Sequence, residues 1–222
     1  MIDSDTLKIE WIEKISGENR GADKILVEKV IRALLLLEGL SHAKLPFLFK
    51  GGTAVMLILG VPRRFSIDID IVVPEDNTLE KGFGKIVKEK GFSRFELQNR
   101  ESYSEIEKIH YKFFYSPAYR TNINEDNILL DILIESENYK KIKKVDITSP
   151  FVKHSGAPLK VRVPGKEDIL ADKMTAFAPY TTGIPYEKSG RSMAMEIIKQ
   201  LYDIGSLFED VKGHEYSPLF RP

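Results

Sequence analysis

In the segment Arg64-Phe65-Ser66-Ile67-Asp68-Ile69-Asp70-Ile71, polar and apolar residues alternate from Ser66, and the run continues to Val73. A period of two belongs to a β-strand with two unlike faces. Ser66, Asp68 and Asp70 fall on one face, and Ile67, Ile69 and Ile71 on the other. Any fold for this chain must bury the isoleucine face while leaving two carboxylates, roughly 7 Å apart at their Cα atoms, in a cleft. In a partly desolvated cleft, that pair repels by on the order of a few kcal/mol. A divalent cation reverses the sign, and an all-oxygen donor set suits a hard ion, Mg²⁺ or Mn²⁺.

The flanking segments add to this strand. Pro46 to Lys50 reads as a short strand that runs into Gly51-Gly52 and then a helix over Thr53 to Leu59, ended by Gly60-Val61-Pro62. Without Cβ atoms, Gly51 and Gly52 let backbone N–H groups and a helix N-terminus approach a triphosphate, and Thr53 adds a hydroxyl. Further on, Asn127 to Glu135 is an apolar strand interrupted by Asp131. A buried aspartate is expensive unless paired or bound to metal. If this strand lies beside the first, three carboxylates converge, enough to hold two ions about 4 Å apart for in-line phosphoryl or nucleotidyl displacement. Taken singly, Gly-Gly is a turn and D-x-D a solvated strand edge. The ordered set is what points to chemistry.

The remaining chain reads as helices over 4–16 and 21–39, a charged helix from Thr78 to Lys90 stopped by Gly91, and strands over Phe92–Asn99 and Glu105–Ser116. Weaker strands follow at Lys143–Thr148 and Leu159–Val163, then helices at Lys166–Ala178 and Arg191–Phe208. Pro179 to Gly190 is a loop. After residue 91 strands succeed one another without helices, so the expected class is α/β (α+β), with a mixed, mostly antiparallel sheet flanked by helices. The expected organisation is residues 1–165 as N-terminal helices plus core, and 166–222 as a helical part completing the cleft.

Lys and Arg number 33, as do Asp and Glu, so no global basic excess marks a nucleic-acid binder and any such site is a local patch. Cysteine is absent, which excludes disulfides and thiolate chemistry and fits a cytoplasmic protein. The acidic N-terminus lacks the basic region of a signal peptide, and no membrane span is expected. His42, His110, His154 and His214 show no metal-ligand spacing, and Walker and Rossmann glycine patterns are missing. Leu170, Lys173, Met174 and Phe177 form a packed stripe by spacing, so Lys173 either snorkels over apolar surface or reaches into the cleft. Asp203 lies opposite the stripe of Ala194, Ile197, Leu201, Ile204 and Phe208. By spacing it pairs with Lys199, one turn earlier on the same side, on the surface. Arg64 contacts phosphate or forms a surface salt bridge. The lysine runs at 85–90 and 140–144 read mainly as solvated faces.

The order GG(S/T)…D-x-D…D resembles the DNA polymerase β-like nucleotidyltransferase superfamily. The wording K-G-G-T-A-V-M-L-I-L-G-V-P-R-R-F-S-I-D-I-D-I is similar to the AbiEii/AbiGii-type nucleotidyltransferase toxins, including MenT-like enzymes. Glu167 to Met174 resembles that family's lysine-bearing helix, and Arg191 with Lys199 to Ile204 its closing segment, with Gln200 where an acidic residue is common. The resemblance implies a nucleotidyltransferase in which Asp68, Asp70 and Asp131 hold Mg²⁺, two ions with Mn²⁺ as a substitute. Gly51, Gly52, Thr53, Arg64, Ser66, Lys173 and Asp203 would serve the NTP, Asp203 as an orienting partner for Lys173 or for the substrate instead of a surface partner of Lys199. It implies the tRNA 3′ end as acceptor, a toxin–antitoxin or phage-defence setting, and a cognate antitoxin. Transfer to a small molecule such as an aminoglycoside or to a protein, and a non-catalytic nucleotide-binding module, stand as alternatives.

Overall fold

A helix that is apolar nearly all round its axis must lie inside a protein, and α2 (Lys24–His42) is such a helix. Asp23 caps it by accepting from the Ile25 N–H at 2.8 Å. Its side chains from Val27 to Leu40 are buried almost without interruption. The charges it carries inward are all engaged, as burial requires. Glu28 accepts from the Ala118 and Tyr119 N–H groups at 2.9 and 3.1 Å and pairs with Arg32 at 3.3 Å. Glu38 pairs with Lys90 at 2.5 Å and accepts from the Ile2 N–H at 2.7 Å. Lys90 is thus buried, against the expectation of a solvated face.

This computed structural model describes residues 1–60, 63–74, 79–98, 108–119, 123–179 and 181–212. They divide into one unit of Met1–Asn138 with Lys143–Val163 and a second of Tyr139–Ile142 with Pro164–Pro222.

In the first unit, a 3₁₀ turn (Ser4–Leu7) precedes α1 (Ile9–Glu18), so the helix expected over 4–16 is broken at its start. A five-stranded sheet follows the order β1-β2-β5-β4-β3, built from β1 (Leu48–Lys50), β2 (Ile69–Val73), β3 (Arg94–Gln98), β4 (Lys108–Tyr115) and β5 (Asp126–Ile134). β2 and β5 are parallel; the other pairs are antiparallel, giving the mixed sheet expected. The inward face carries Phe49, Ile69, Ile71, Leu130, Ile132, Tyr111 and Phe113. α4 (Glu80–Lys90) packs there through Phe83, whose ring meets Phe95, Tyr111 and Phe113 edge-on. Gly91, at φ 71°, ends α4 as expected. α3 spans Gly51–Leu59, beginning at the glycines rather than at Thr53.

β2 is shorter than its alternation suggests. It starts at Ile69, so Ser66 and Asp68 sit in its lead-in. The reason is its neighbours: pairing with β1 begins at Lys50 opposite Asp70, beyond which the β1 chain turns into α3, and pairing with β5 begins at Ile69 opposite Leu130. β6 (Ile142–Asp146) and β7 (Lys160–Pro164) form a separate two-stranded sheet.

In the second unit, α5 (Lys166–Phe177) packs on α6 (Ala194–Lys212). A small hairpin, β8 (Glu187–Lys188) and β9 (Arg191–Ser192), lies within and beside the expected loop. Ser189 and Gly190 at its turn both have positive φ, 50° and 75°, as a two-residue hairpin turn requires. The stripes differ from those read by spacing. On α5, Ile169 and Lys173 are buried, but Met174 is exposed. On α6, Ile197, Asp203, Ser206 and Leu207 are buried, whereas Leu201 and Phe208 are exposed. The buried Lys173–Asp203 pair accounts for this, because it turns the Asp203 side of α6 toward α5.

Candidate active site

The sheet register sets the site. Lys50 lies opposite Asp70, Asp70 opposite Asp131, Asp131 opposite His110, and His110 opposite Gln98. Register partners point to the same face, and neighbouring strands lie about 4.8 Å apart. Lys50, Asp70, Asp131 and His110 therefore form one row across the outward face, and together with Lys108 and Leu133 they line a cleft of about 240 Å³. Two full charges held ~5 Å apart repel by about 3 kcal/mol at an effective dielectric of about 20. The fold sets Lys50 at one end of the row and the His110 ring at the other. His110 Nδ1 lies 2.7 Å from Asp131 Oδ1; a carboxylate accepts, so the ring nitrogen donates.

The glycines lie against these groups. Gly51 has φ +82°, and a Cβ there would fall 1.9 Å from Asp70 Oδ2. A Cβ on Gly52 would fall 2.6 Å from both Arg64 Nη2 and Ser66 Oγ. Only glycine brings the α3 N-terminus this near the carboxylate and the two polar side chains. No side chain among the described residues caps that N-terminus, so its first N–H groups remain for an anion. Thr53 is fully buried, and its hydroxyl donates to the Asp68 carbonyl at 2.6 Å. That bond ties the first turn of α3 to the lead-in of β2, rather than presenting the hydroxyl to phosphate.

The structure thus brings Gly51, Gly52, Thr53, Arg64, Ser66, Asp68, Asp70 and Asp131 together in the first unit. Lys173 and Asp203 belong to the second, where their ionic groups lie 2.9 Å apart with side chains 10% and 3% exposed. Of the two roles open to Asp203, the structure has it paired with Lys173 in the interior.

Among the described residues, no three His, Asp or Glu side chains are grouped closely enough to hold a metal unaided. This still fits Mg²⁺, which is usually bound by one or two carboxylates together with substrate phosphates and water, not by an all-protein cage. The adjacent Asp70 and Asp131 are hard oxygen donors of that kind. No helix among the described residues is long and apolar enough to cross a membrane.

Sequence reasoning set His110 and Lys50 aside, and did not weigh Lys108. The alternation of Lys108, His110 and Lys112 with Ile109, Tyr111 and Phe113 was a usable signal, since it puts the cationic residues on the outward face of β4.

A family model described as "Nucleotidyl transferase AbiEii toxin, Type IV TA system" matches residues 35–220. No curated protein sequence matches the chain. Among solved structures, the chain is similar to JHP933 from Helicobacter pylori, with TM-score 0.51 and 20% identity over 85% of this chain and 67% of that one. An antigenic nucleotidyltransferase-like protein from Paracoccidioides brasiliensis gives TM-score 0.49 and 18% identity over 82% and 76%. ANT(2″)-Ia in complex with adenylyl-2″-tobramycin gives 0.46 and 18% over 84% and 94%.

Proposed function

The chain belongs to the AbiEii nucleotidyltransferase toxin family, and on that premise we propose that it transfers a nucleoside monophosphate from an NTP to the 3′ hydroxyl of tRNA in the cytoplasm, with Mg²⁺ as cofactor. The observation that carries this reading is the level pairing of Asp70 with Asp131 beside an α3 N-terminus that has no side-chain cap.

Each part has a task. The N–H groups at Gly51 and Gly52 take the triphosphate, with Arg64 and Ser66 beside them. Thr53 holds Asp68 in place through its carbonyl. Asp68, Asp70 and Asp131 would hold Mg²⁺, which when bound would neutralise charge on the phosphates. The acceptor oxygen forms a bond to the α-phosphorus, the bond from that phosphorus to the bridging oxygen breaks, and pyrophosphate leaves. The hydroxyl proton passes to the Asp131 carboxylate, which His110 steadies. Lys173 is assigned to the triphosphate by its likeness to the family's lysine helix, and Asp203 orients it. A cognate antitoxin is the expected partner.

The test is incubation with each α-³²P-labelled NTP, Mg²⁺ and total tRNA, using Asp68→Ala/Asp70→Ala as control. Label on tRNA that disappears in the variant is expected. Tight Mg²⁺-dependent NTP binding with no labelled tRNA sinks the tRNA acceptor and turns the search to small molecules and proteins.

A further inference from the structure

In-line displacement puts the attacking and leaving oxygens on opposite sides of the α-phosphorus. In the sheet order β1-β2-β5-β4-β3, the triphosphate loop at Gly51-Gly52 follows β1 and the carboxylates stand on β2 and β5. The acceptor then has to arrive from the β4 side of the row.

That strand is cationic on its outward face. Lys108 and Lys112 flank His110 in steps of two, opposite Leu133 and Leu129 of β5. The intervening Tyr111 and Phe113 are buried on the other face. Lys108 and His110 line the cleft. Four residues of strand make a strip about 14 Å long, matched to a run of phosphates rather than a single one. Among the described residues, neither lysine is held in an ion pair or a side-chain hydrogen bond. Their neighbours on β3 contrast with this. Glu96, opposite Lys112, is engaged by Arg94 at 3.1 Å, and Arg94 also pairs with Glu125. Two lysines outside any ion pair among the described residues, beside the row in a chain of zero net charge, form a local anion-attracting track.

We infer that Lys108 and Lys112 are the acceptor-side specificity residues of this site, holding the phosphodiesters next to the attacking hydroxyl. The inference rests on the transfer reading above. It adds which strand receives the acceptor and which two side chains hold its phosphates.

The test measures binding of a fluorescein-labelled single-stranded RNA ending in CCA-3′ by anisotropy across a salt series. Wild type, Lys108→Gln/Lys112→Gln and Lys108→Arg/Lys112→Arg are compared. Each phosphate contact on a single strand contributes about −0.7 to the slope of log K against log salt, so the glutamine variant is expected to be shallower by about 1.4. The arginine variant is expected to keep the wild-type slope, and Mg²⁺-dependent binding of a fluorescent ATP analogue should be unchanged in both. An unchanged slope in the glutamine variant, no RNA binding by wild type, or a fall in ATP-analogue affinity with RNA binding intact each overturns the inference. Labelled-NMP transfer run in parallel separates the two readings. Transfer to tRNA with an unchanged slope refutes only the track, whereas RNA binding without transfer to any acceptor refutes the transfer reading and leaves the track to its slope.

Discussion

Replacing Gly51 by alanine separates the cost of an unusual backbone from the cost of moving a carboxylate. Gly51 has φ +82° and Gly60 has φ +70°, but a Cβ on Gly60 meets nothing within 4 Å. Both alanines face a left-handed backbone penalty of about 1–2 kcal/mol, offset by about 0.4–1 kcal/mol from a less flexible unfolded chain. For a chain of this length the net loss from the backbone term lowers Tm by at most about 6 °C in either variant. At Gly51 alone the new methyl would lie 1.9 Å from Asp70 Oδ2, and ordinary contact begins near 3.4 Å, so the carboxylate must give by about 1.5 Å. A 1 Å misplacement in an active site is worth about 10²-fold in rate. Gly51→Ala is therefore expected to lose at least ~10²-fold in kcat/KM for labelled-NMP transfer, while Gly60→Ala keeps wild-type activity at a similar Tm. Scanning fluorimetry and the transfer assay on the two variants decide it. Activity of Gly51→Ala within about threefold of wild type, or an equal loss in Gly60→Ala, refutes the reasoning.

Lys173→Met leaves the buried Asp203 carboxylate without its cation, which costs about 3–5 kcal/mol; Lys173→Met/Asp203→Leu is expected to recover most of the Tm. Transfer activity that stays lost in the recovered double variant supports the assignment of Lys173 to the triphosphate, and activity that returns assigns the pair to folding alone. His154 has both ring nitrogens buried without a hydrogen-bond partner among the described residues, and burial, with the N-terminal amine adding to it, pushes its pKa below the usual histidine value. The unfolded chain then binds the proton first as pH falls below ~6.5, so this contribution is complete above that pH and is lost on acidification. Urea unfolding between pH 7.5 and 5 should show a steeper acid decline in wild type than in His154→Leu, and equal declines refute the assignment.

Local pattern was legible wherever one element decides it. The alternation at Ile69–Val73, the apolar run of α2 and the glycine stop at Gly91 all needed only neighbours in the chain. What the chain does not display is register. That Asp70 stands level with Asp131 depends on β5 entering between β2 and β4, although β3 and β4 come earlier in the chain. His110 could not be seen as the partner of Asp131 until that insertion placed β4 beside β5. The α6 stripe failed for a related reason: spacing ranks residues by hydropathy, but the burial of Asp203 follows from a charge on another helix. These misplacements thus trace to charged or polar groups whose partners lie on a different element, and the apolar Met174, Leu201 and Phe208 are left outside as a consequence. A site made of such groups is cheap to keep only when every inward charge is answered. Asp131 is answered by His110 across strands of the first unit and Asp203 by Lys173 across helices of the second, so these pairings are written between elements while the scaffold is written along them.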